Sequence, residues 1–440
     1  MSTTDKPTVL IVGAGLGGLM LGALLEKSDV PYTIFERAAA VKSLGSAMSI
    51  GAGLLPAFEQ MGLYDEILAI GKYWTHTEPY KESLEPYHPS DFSPVEEYTG
   101  YGQVIVTRPK FYEVMLKQVP PHKIHFGKRV LNITEEDDKV TVHLSNNETF
   151  KGDIVVGADG AYSAIRQRMY EQLATQDKLP KSDQEELPFS CTCLVGQTKV
   201  LDPKEFPIID EPVCKFRSVK TAQEQRFRNN DNAEWGAHPA QTMCDETRNF
   251  PIELSDGKKR TLGDLYDLTP KELISKVMLE EKVFSTWYSG RVVLLGDACH
   301  KLNPSGGHGA VTAMHDAIAL ANLLYALPSK TSSDVTRIFQ EYQEERYPAV
   351  IQSFKKSQFL SKSMEKGIMG TVFLYLTTRM PLWLWKIALA KMVGFRPQLG
   401  FVEAIAVKGT IAPVAPPSEQ KARAVYEEKQ RQQSSNVVSV

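Results

Sequence analysis

The stretch VLIVGAGLGG, residues 9–18, decides the fold. An apolar run stops at Gly13, and Gly15 and Gly18 follow at the spacing of a strand–turn–helix that can cradle a pyrophosphate. Gly13 permits the tight turn, Gly15 lets the backbone approach the phosphates, and Gly18 lets helix and strand pack closely. The helix opening at Leu16 offers unpaired N–H groups and positive potential to an anion. The same glycines also serve ordinary tight turns, so their context matters. TVLIVGAG, LGGLMLGALLEKSD and PYTIFER read as strand, helix and strand, a βαβ unit within residues 5–37. Glu36 ends the second strand, 18 residues beyond Gly18. A carboxylate there accepts bonds from adenosine ribose hydroxyls and repels a 2′-phosphate. Arg37 follows, placed to lie against an adenine. Strand, helix and carboxylate together make this a dinucleotide site.

The chain has 440 residues, room for two domains or for one large α/β domain with an insertion. A net charge of −3 gives no basic field for nucleic acid. Cys191, Cys193, Cys214, Cys244 and Cys299 have neither zinc-site nor CxxC spacing. They read as reduced thiols of an intracellular, cytoplasmic protein without a metal site. The N-terminus lacks a basic n-region and its apolar run leads straight into glycines, which reads as a buried strand and not a signal peptide. No run of about 18 uninterrupted apolar residues occurs, which argues against a spanning helix. In the apolar segment 367–395, Arg379, Pro381, Lys386 and Lys391 break the run into two amphipathic helices meeting at Pro381. These either pack on the body of the protein or make a peripheral contact with a membrane surface.

Two further motifs carry chemistry. GADGAYSAIR, residues 157–166, delivers Asp159 and Gly160 to a turn, with Ser163 and Arg166 on the helix that follows. The plainer reading is a turn with an N-cap aspartate. GDACHKLNPSGGHGAVTAMHDA, residues 296–317, places Asp297 at a strand end. Pro304, Gly306, Gly307 and Gly309 then let the backbone pass close to a flat ring, and a helix beginning near Gly309 and Ala310 points its N-terminus there. Between these motifs, residues 172–285 are rich in charge and in strand-forming residues, with no long helix before TPKELISKVM. The expected plan is a dinucleotide-binding part over 5–171 that returns over 286–330, a mainly β substrate domain over 172–285, a helical segment over 331–416 and a polar tail over 417–440. The tail reads as mobile or as a lone surface helix.

These motifs, in this order, resemble those of the FAD-dependent aromatic hydroxylases, the group A flavoprotein monooxygenases, including fungal secondary-metabolite enzymes. The resemblance covers about residues 7–330. It implies a fold like that of p-hydroxybenzoate hydroxylase: an α/β, Rossmann-like FAD-binding domain with an inserted β domain and a helical C-terminal segment. It also implies resident FAD, with NADH or NADPH as a transient co-substrate. Glu36 would then bind the adenosine ribose and Asp297 the ribitol. Arg108 in TRPKFYEVML and Gly45 in SLGSAMSIGAG match residues that contact or line the cofactor, and Asp159 helps to hold it. Arg108 has the alternative of a surface ion pair. Gly13, Gly15, Leu16, Gly18, Glu36, Arg37, Gly45, Arg108, Asp159, Asp297, Gly309 and Ala310 form the expected cofactor set.

The reaction implied is oxygen transfer from a flavin C4a-hydroperoxide to an electron-rich carbon. It would hydroxylate or epoxidise an apolar aromatic, prenylated or polyketide-type small molecule. No catalytic side chain is assigned. His308 and Val311 depart from the family's glycine-rich loop. His308 is either a proton relay or a loop histidine bonded to backbone. The alternatives are an FAD-dependent reductase or dehydrogenase of an isoprenoid, a flavin halogenase, and a non-catalytic FAD-binding scaffold.

Overall fold

The computed structural model describes residues 6–40, 47–80, 84–86, 89–136, 138–206, 213–217, 237–252, 257–303, 307–363 and 380–438. At its centre is a six-stranded sheet. Its order is Tyr288–Ser289, Val292–Leu294, Ile154–Gly157, Val9–Val12, Tyr32–Glu36, Ile124–Phe126, and every pairing is parallel except that of Tyr288–Ser289 with Val292–Leu294. The three central strands, Val292–Leu294, Ile154–Gly157 and Val9–Val12, are buried throughout. Burial on both faces explains why each is a continuous apolar run and not an alternating one. The helices Leu16–Lys27 and Gly309–Tyr325 pack against each other beside the sheet, and most of both is buried. The first follows the strand Val9–Val12 directly, while the second follows Val292–Leu294 only after the turn Gly296–Ala298 and the short strand His300–Lys301; their first turns lie together, since a Cβ on Gly17 would meet the Ala313 side chain.

Antiparallel sheets surround this core. Val130–Glu136, Lys139–Leu144 and Thr149–Gly152 form the expected meander before the strand Ile154–Gly157. Ala47–Ile50, Gln103–Thr107 and Gly71–Trp74 form a second sheet. In the β-rich region, Phe189–Val195 pairs with Ser275–Glu280, and Val213–Arg217 pairs with His76–Tyr80. TPKELISKVM is not a helix. It makes one tight turn, Lys271–Leu273, and then enters the strand Ser275–Glu280. Its apolar spacing fits either period, and pairing with Phe189–Val195 selects the extended one. Ala237–Thr247 is an eleven-residue helix inside the same region, which the sequence reading did not anticipate.

The helix Ser332–Ser363 follows, with Pro348 inside it. Pro381 then caps the helix Leu382–Met392, as its fixed φ favours, while residues 364–379 of the apolar segment lie outside the described residues. The polar tail is a helix, Pro417–Val438, and it is not a lone one. Ser418 bonds both oxygens of Glu345, Lys421 pairs with Glu341, and Ala422 is fully buried. Among the described residues, no helix is long and apolar enough to cross a membrane.

Candidate active site

The glycine turn has the geometry its spacing predicts. Gly13 has φ +107°, and a Cβ there would sit under 3.0 Å from the Ala158 carbonyl. A Cβ on Gly18 would press equally hard on the carbonyl oxygen of Gly13. Around Gly15 nothing lies within 4 Å, so this glycine is required by no contact within the protein. The side chain of Leu16 is buried, which leaves only its backbone to face a ligand.

Glu36 braces the turn. One oxygen accepts from Ala14 N and the other from Ala38 N, each at 2.8 Å. Each carboxylate oxygen retains a lone pair for a further donor. Arg37 and Arg108 are exposed, and Arg108 has no ion-pair partner among the described residues. Tyr112, one turn after Arg108 on the helix Arg108–Lys117, donates its hydroxyl to Ala14 O at 2.8 Å. Burial pushes that hydroxyl up to about 12, with Glu36 adding to the rise and Arg108 opposing it. The sequence reading missed Tyr112. Its position four residues after Arg108, on the same helix face, was the available signal.

The aspartate of GADGAYSAIR is not itself the N-cap, which is Ser163, but it helps to close the same helix start and keeps one atom in reserve. Asp159 Oδ2 accepts from Ala164 N at 2.7 Å, and Ser163 Oγ accepts from Arg166 N at 2.9 Å. Asp159 Oδ1 is buried and has no partner among the described residues, and burial raises the carboxyl. Arg166 ties this motif to the next one: its guanidinium donates to Ala161 O and to Ala298 O and lies 4.2 Å from the Phe284 ring.

Asp297 sits in the tight turn Gly296–Ala298 and pairs with Lys301 at 3.0 Å. Beneath it lies a buried charge network. Asp316 accepts from His300 Nε2 at 2.6 Å, from Arg346 Nε at 2.8 Å and from Gly296 N at 3.2 Å. All three side chains are buried, and His300 and Arg346 beside it hold the Asp316 carboxyl down to about 2 against its burial. Cys299 is close enough to make a ligand-like cluster with His300 and Asp316. Burial pushes its thiol well up, and the Arg346 guanidinium already supplies the positive charge a metal would bring. Asp316 was legible as the lone acid in an otherwise apolar helix.

His308 caps the helix Gly309–Tyr325 without a side-chain bond to it. It is exposed, yet the protein around it lowers its pKa, with Lys356 adding to the effect. His315, further along, bonds Gly53 O at 2.9 Å, and burial lowers its pKa to about 3. Gly309 and Ala310 are half-buried at the helix start, while Gly45, Pro304 and Gly306 lie outside the described residues.

These residues fit an FAD. The helices Leu16–Lys27 and Gly309–Tyr325 both begin without a side-chain cap, unlike Ala164–Thr175, whose N-terminus Asp159 and Ser163 close. Bare helix starts beside open glycines bind anions. Gly15, Gly160, Gly307 and Gly309 all have room where a Cβ would stand.

A family model described as an FAD binding domain matches residues 6–357. The chain belongs to the FAD-dependent monooxygenases. It is 30% identical over 408 residues to the FAD-dependent monooxygenase ptmM of Penicillium ochrochloron, covering 84% of this chain and 92% of that one. It is 27% identical over 440 residues to atmM of Aspergillus flavus, covering 91% and 88%. Among solved structures, HpxO of Klebsiella pneumoniae, complexed with FAD and uric acid, matches with a TM-score of 0.67 at 18% identity over 88% of this chain and 96% of that one. PqsL of Pseudomonas aeruginosa, in complex with 2-aminobenzoylacetate, gives 0.61 at 18% identity over 82% and 97%. At such identities the two structures speak for the fold. This flavoprotein is therefore an oxidoreductase with an FAD-binding fold and a helical C-terminal region.

Proposed function

We propose that this monooxygenase uses NADH or NADPH and dioxygen to hydroxylate or epoxidise an aromatic, prenylated or polyketide-type small molecule. The observation that carries the reading is the pair of uncapped helix starts, at Gly15 and His308, opening side by side onto space lined by glycines. FAD, when bound, accepts hydride from the nicotinamide and activates oxygen. The chain's own residues bind and orient. The Gly13–Gly15–Gly18 turn and the Leu16 N–H take the pyrophosphate, Glu36 the ribose and Arg37 the adenine. Arg108, Asp159 and the Gly45 backbone hold the remainder, and Asp297 takes the ribitol once released from Lys301. The N–H groups of Gly309 and Ala310 face the ring, where a helix N-terminus stabilises negative charge. The protein around His308 disfavours its charged form, with Lys356 adding to the effect. The β-rich region 172–285 carries the substrate domain.

The test is direct. Purified protein is loaded with FAD, supplied with NAD(P)H, oxygen and candidate phenols or prenylated aromatics, and followed by coenzyme oxidation and product mass. Gain of one oxygen atom supports the reading. Saturation or halogenation of the product points to a reductase or a halogenase, and a protein that takes up no FAD refutes it.

We also propose a cytoplasmic location with a peripheral contact to anionic lipid through the described part of residues 367–395. Leu382, Trp383, Leu384, Ile387 and Met392 are exposed on a helix that carries Lys386 and Lys391 and no acid. Trp385 and Leu389 hold its inner side. Such a helix seats its apolar face at a headgroup boundary. Co-sedimentation with phosphatidylserine vesicles, lost in Trp383→Ser/Ile387→Ser, is the expected result, and equal recovery with and without vesicles overturns it.

A further inference from the structure

The sheet formed by Ala47–Ile50, Gln103–Thr107 and Gly71–Trp74 has two unlike faces. Ile50, Val104 and Val106 are buried and belong to the core. The register sets Ser49 and Lys72 on either side of Ile105, and Trp74 opposite Gln103. By alternation these residues and Thr107 share the other face.

That face is not built as a core. Lys72 Nζ and Thr107 Oγ1 are both buried and have no hydrogen-bond partner among the described residues. A buried polar atom without a partner costs stability, and none of the described residues offers Lys72 Nζ one. Trp74 Nε1 donates to Ser49 Oγ at 3.3 Å. From Trp74 an aromatic row continues through Phe92, at 5.2 Å, to Trp385, at 5.3 Å, whose indole donates to Asp91 O at 2.6 Å. The face starts beside the cofactor residue Arg108, which follows Thr107 directly. At its other end, Gly71–Trp74 runs through Thr75 into His76–Tyr80, which pairs with Val213–Arg217 of the β-rich region. It therefore lies between the cofactor end and the β-rich region.

We propose that this face is the substrate wall, that Lys72 holds an oxygen anion of the substrate, and that Trp74, Phe92 and Trp385 cover its apolar body. The inference rests on the monooxygenase reading above and narrows the substrate to a greasy molecule with one acidic oxygen: a carboxylate, phenolate or enolate. A lysine whose Nζ is shielded and unpartnered discriminates for such a group through a charge-assisted bond.

The test is calorimetric titration of the FAD-loaded protein with two probes of the same ring, naphthoate and naphthylmethanol. The wild type binds naphthoate more tightly by about ten- to a hundredfold, the range of one charge-assisted bond. Lys72→Met binds the two equally. In the absence of ligand it melts no lower than the wild type, because it loses an unpaired charge and keeps the volume. Phe92→Ala weakens both probes alike. Equal affinities in the wild type, binding of neither probe, a retained preference in Lys72→Met, or a lowered melting point in that variant would each overturn the proposal. FAD content and NAD(P)H-driven flavin reduction of the wild type, measured on the same preparation, separate the two failures. If they are absent, the monooxygenase reading falls; if they are present without the naphthoate preference, only the wall does.

Discussion

Replacing the three turn glycines by alanine, one at a time, separates what the fold needs from what the cofactor needs. In Gly18→Ala the new methyl lands under 3.0 Å from the Gly13 carbonyl oxygen, backbone against backbone, with no side chain able to move aside. Overpacking of this kind costs about 1–3 kcal/mol. Gly13→Ala meets the Ala158 carbonyl as closely and must also hold φ +107°. Strain of that sort adds about 1–3 kcal/mol. Gly15 has φ −68° and nothing within 4 Å. Gly15→Ala therefore costs the folded chain at most about 1 kcal/mol, the difference between glycine and alanine as an N-cap. With an unfolding entropy of about 0.9 kcal/mol/K for a chain of this length, melting falls by about 1–3 °C for Gly18→Ala, about 2–6 °C for Gly13→Ala and about 1 °C or less for Gly15→Ala. FAD binding orders the variants differently. The methyl of Gly15→Ala fills the space through which a phosphate reaches the helix N–H groups, and losing one such bond weakens affinity about ten- to a hundredfold. Scanning calorimetry without FAD and fluorescence titration with it read the two effects on one protein. A Gly15→Ala variant with wild-type FAD affinity, or one melting as low as Gly13→Ala, would refute the assignment of this turn to the cofactor.

Four other outcomes follow from the site. Asp316→Asn leaves Arg346 buried without a counter-charge and should cost about 3–5 kcal/mol, with looser FAD because Gly296 loses its anchor, while Asp316→Asn/Arg346→Met recovers most of the stability in calorimetry. The folded Asp316 carboxyl is held below its unfolded value, so its contribution is whole above about pH 4 and disappears as pH falls toward about 2; acid titration of the wild type against Asp316→Asn reads this window. Burial holds His315 neutral to about 3 against an ordinary 6.5, so stability falls as pH drops through that interval, and His315→Gln should flatten the slope. Tyr112→Phe, which removes the bond to Ala14 O, should raise the FAD dissociation constant by about three- to tenfold with no change in the flavin's absorption spectrum.

The central sheet was legible because its constraints are local. Buried parallel strands are continuous apolar runs, and Gly18 is forced by the Gly13 carbonyl five residues back in the same turn, so spacing alone finds it. Where one apolar pattern served two periods, the sequence could not decide. TPKELISKVM reads as a helix by its spacing, and only its partner strand Phe189–Val195, far off in the chain, makes Ser275–Glu280 extended. Charged groups followed the same division. Glu36 and Asp159 stand inside recognisable turns, whereas Arg346 reaches Asp316 from another helix, 30 residues on. Nothing in the sequence near Arg346 marks it as buried.

The cofactor site and the proposed substrate wall differ in the same physical way. The FAD cradle is backbone geometry, so a handful of glycines and one strand-end carboxylate specify it, at spacings the sequence displays. The wall is side-chain chemistry gathered from Ser49, Lys72, Phe92, Thr107 and Trp385, and its composition depends on strand parity. A one-residue slip in Gly71–Trp74 that put Tyr73 in place of Lys72 would turn the lysine onto the core face beside Val106. The tight approach of Gly71 to Val104 and Val106 on the core face forbids that slip, since any larger residue in register there would clash. The glycine that fixes the register thus also keeps the lysine on the face that looks away from the core. Gly71→Ala should therefore disturb probe selectivity along with stability, although residue 71 itself points the other way.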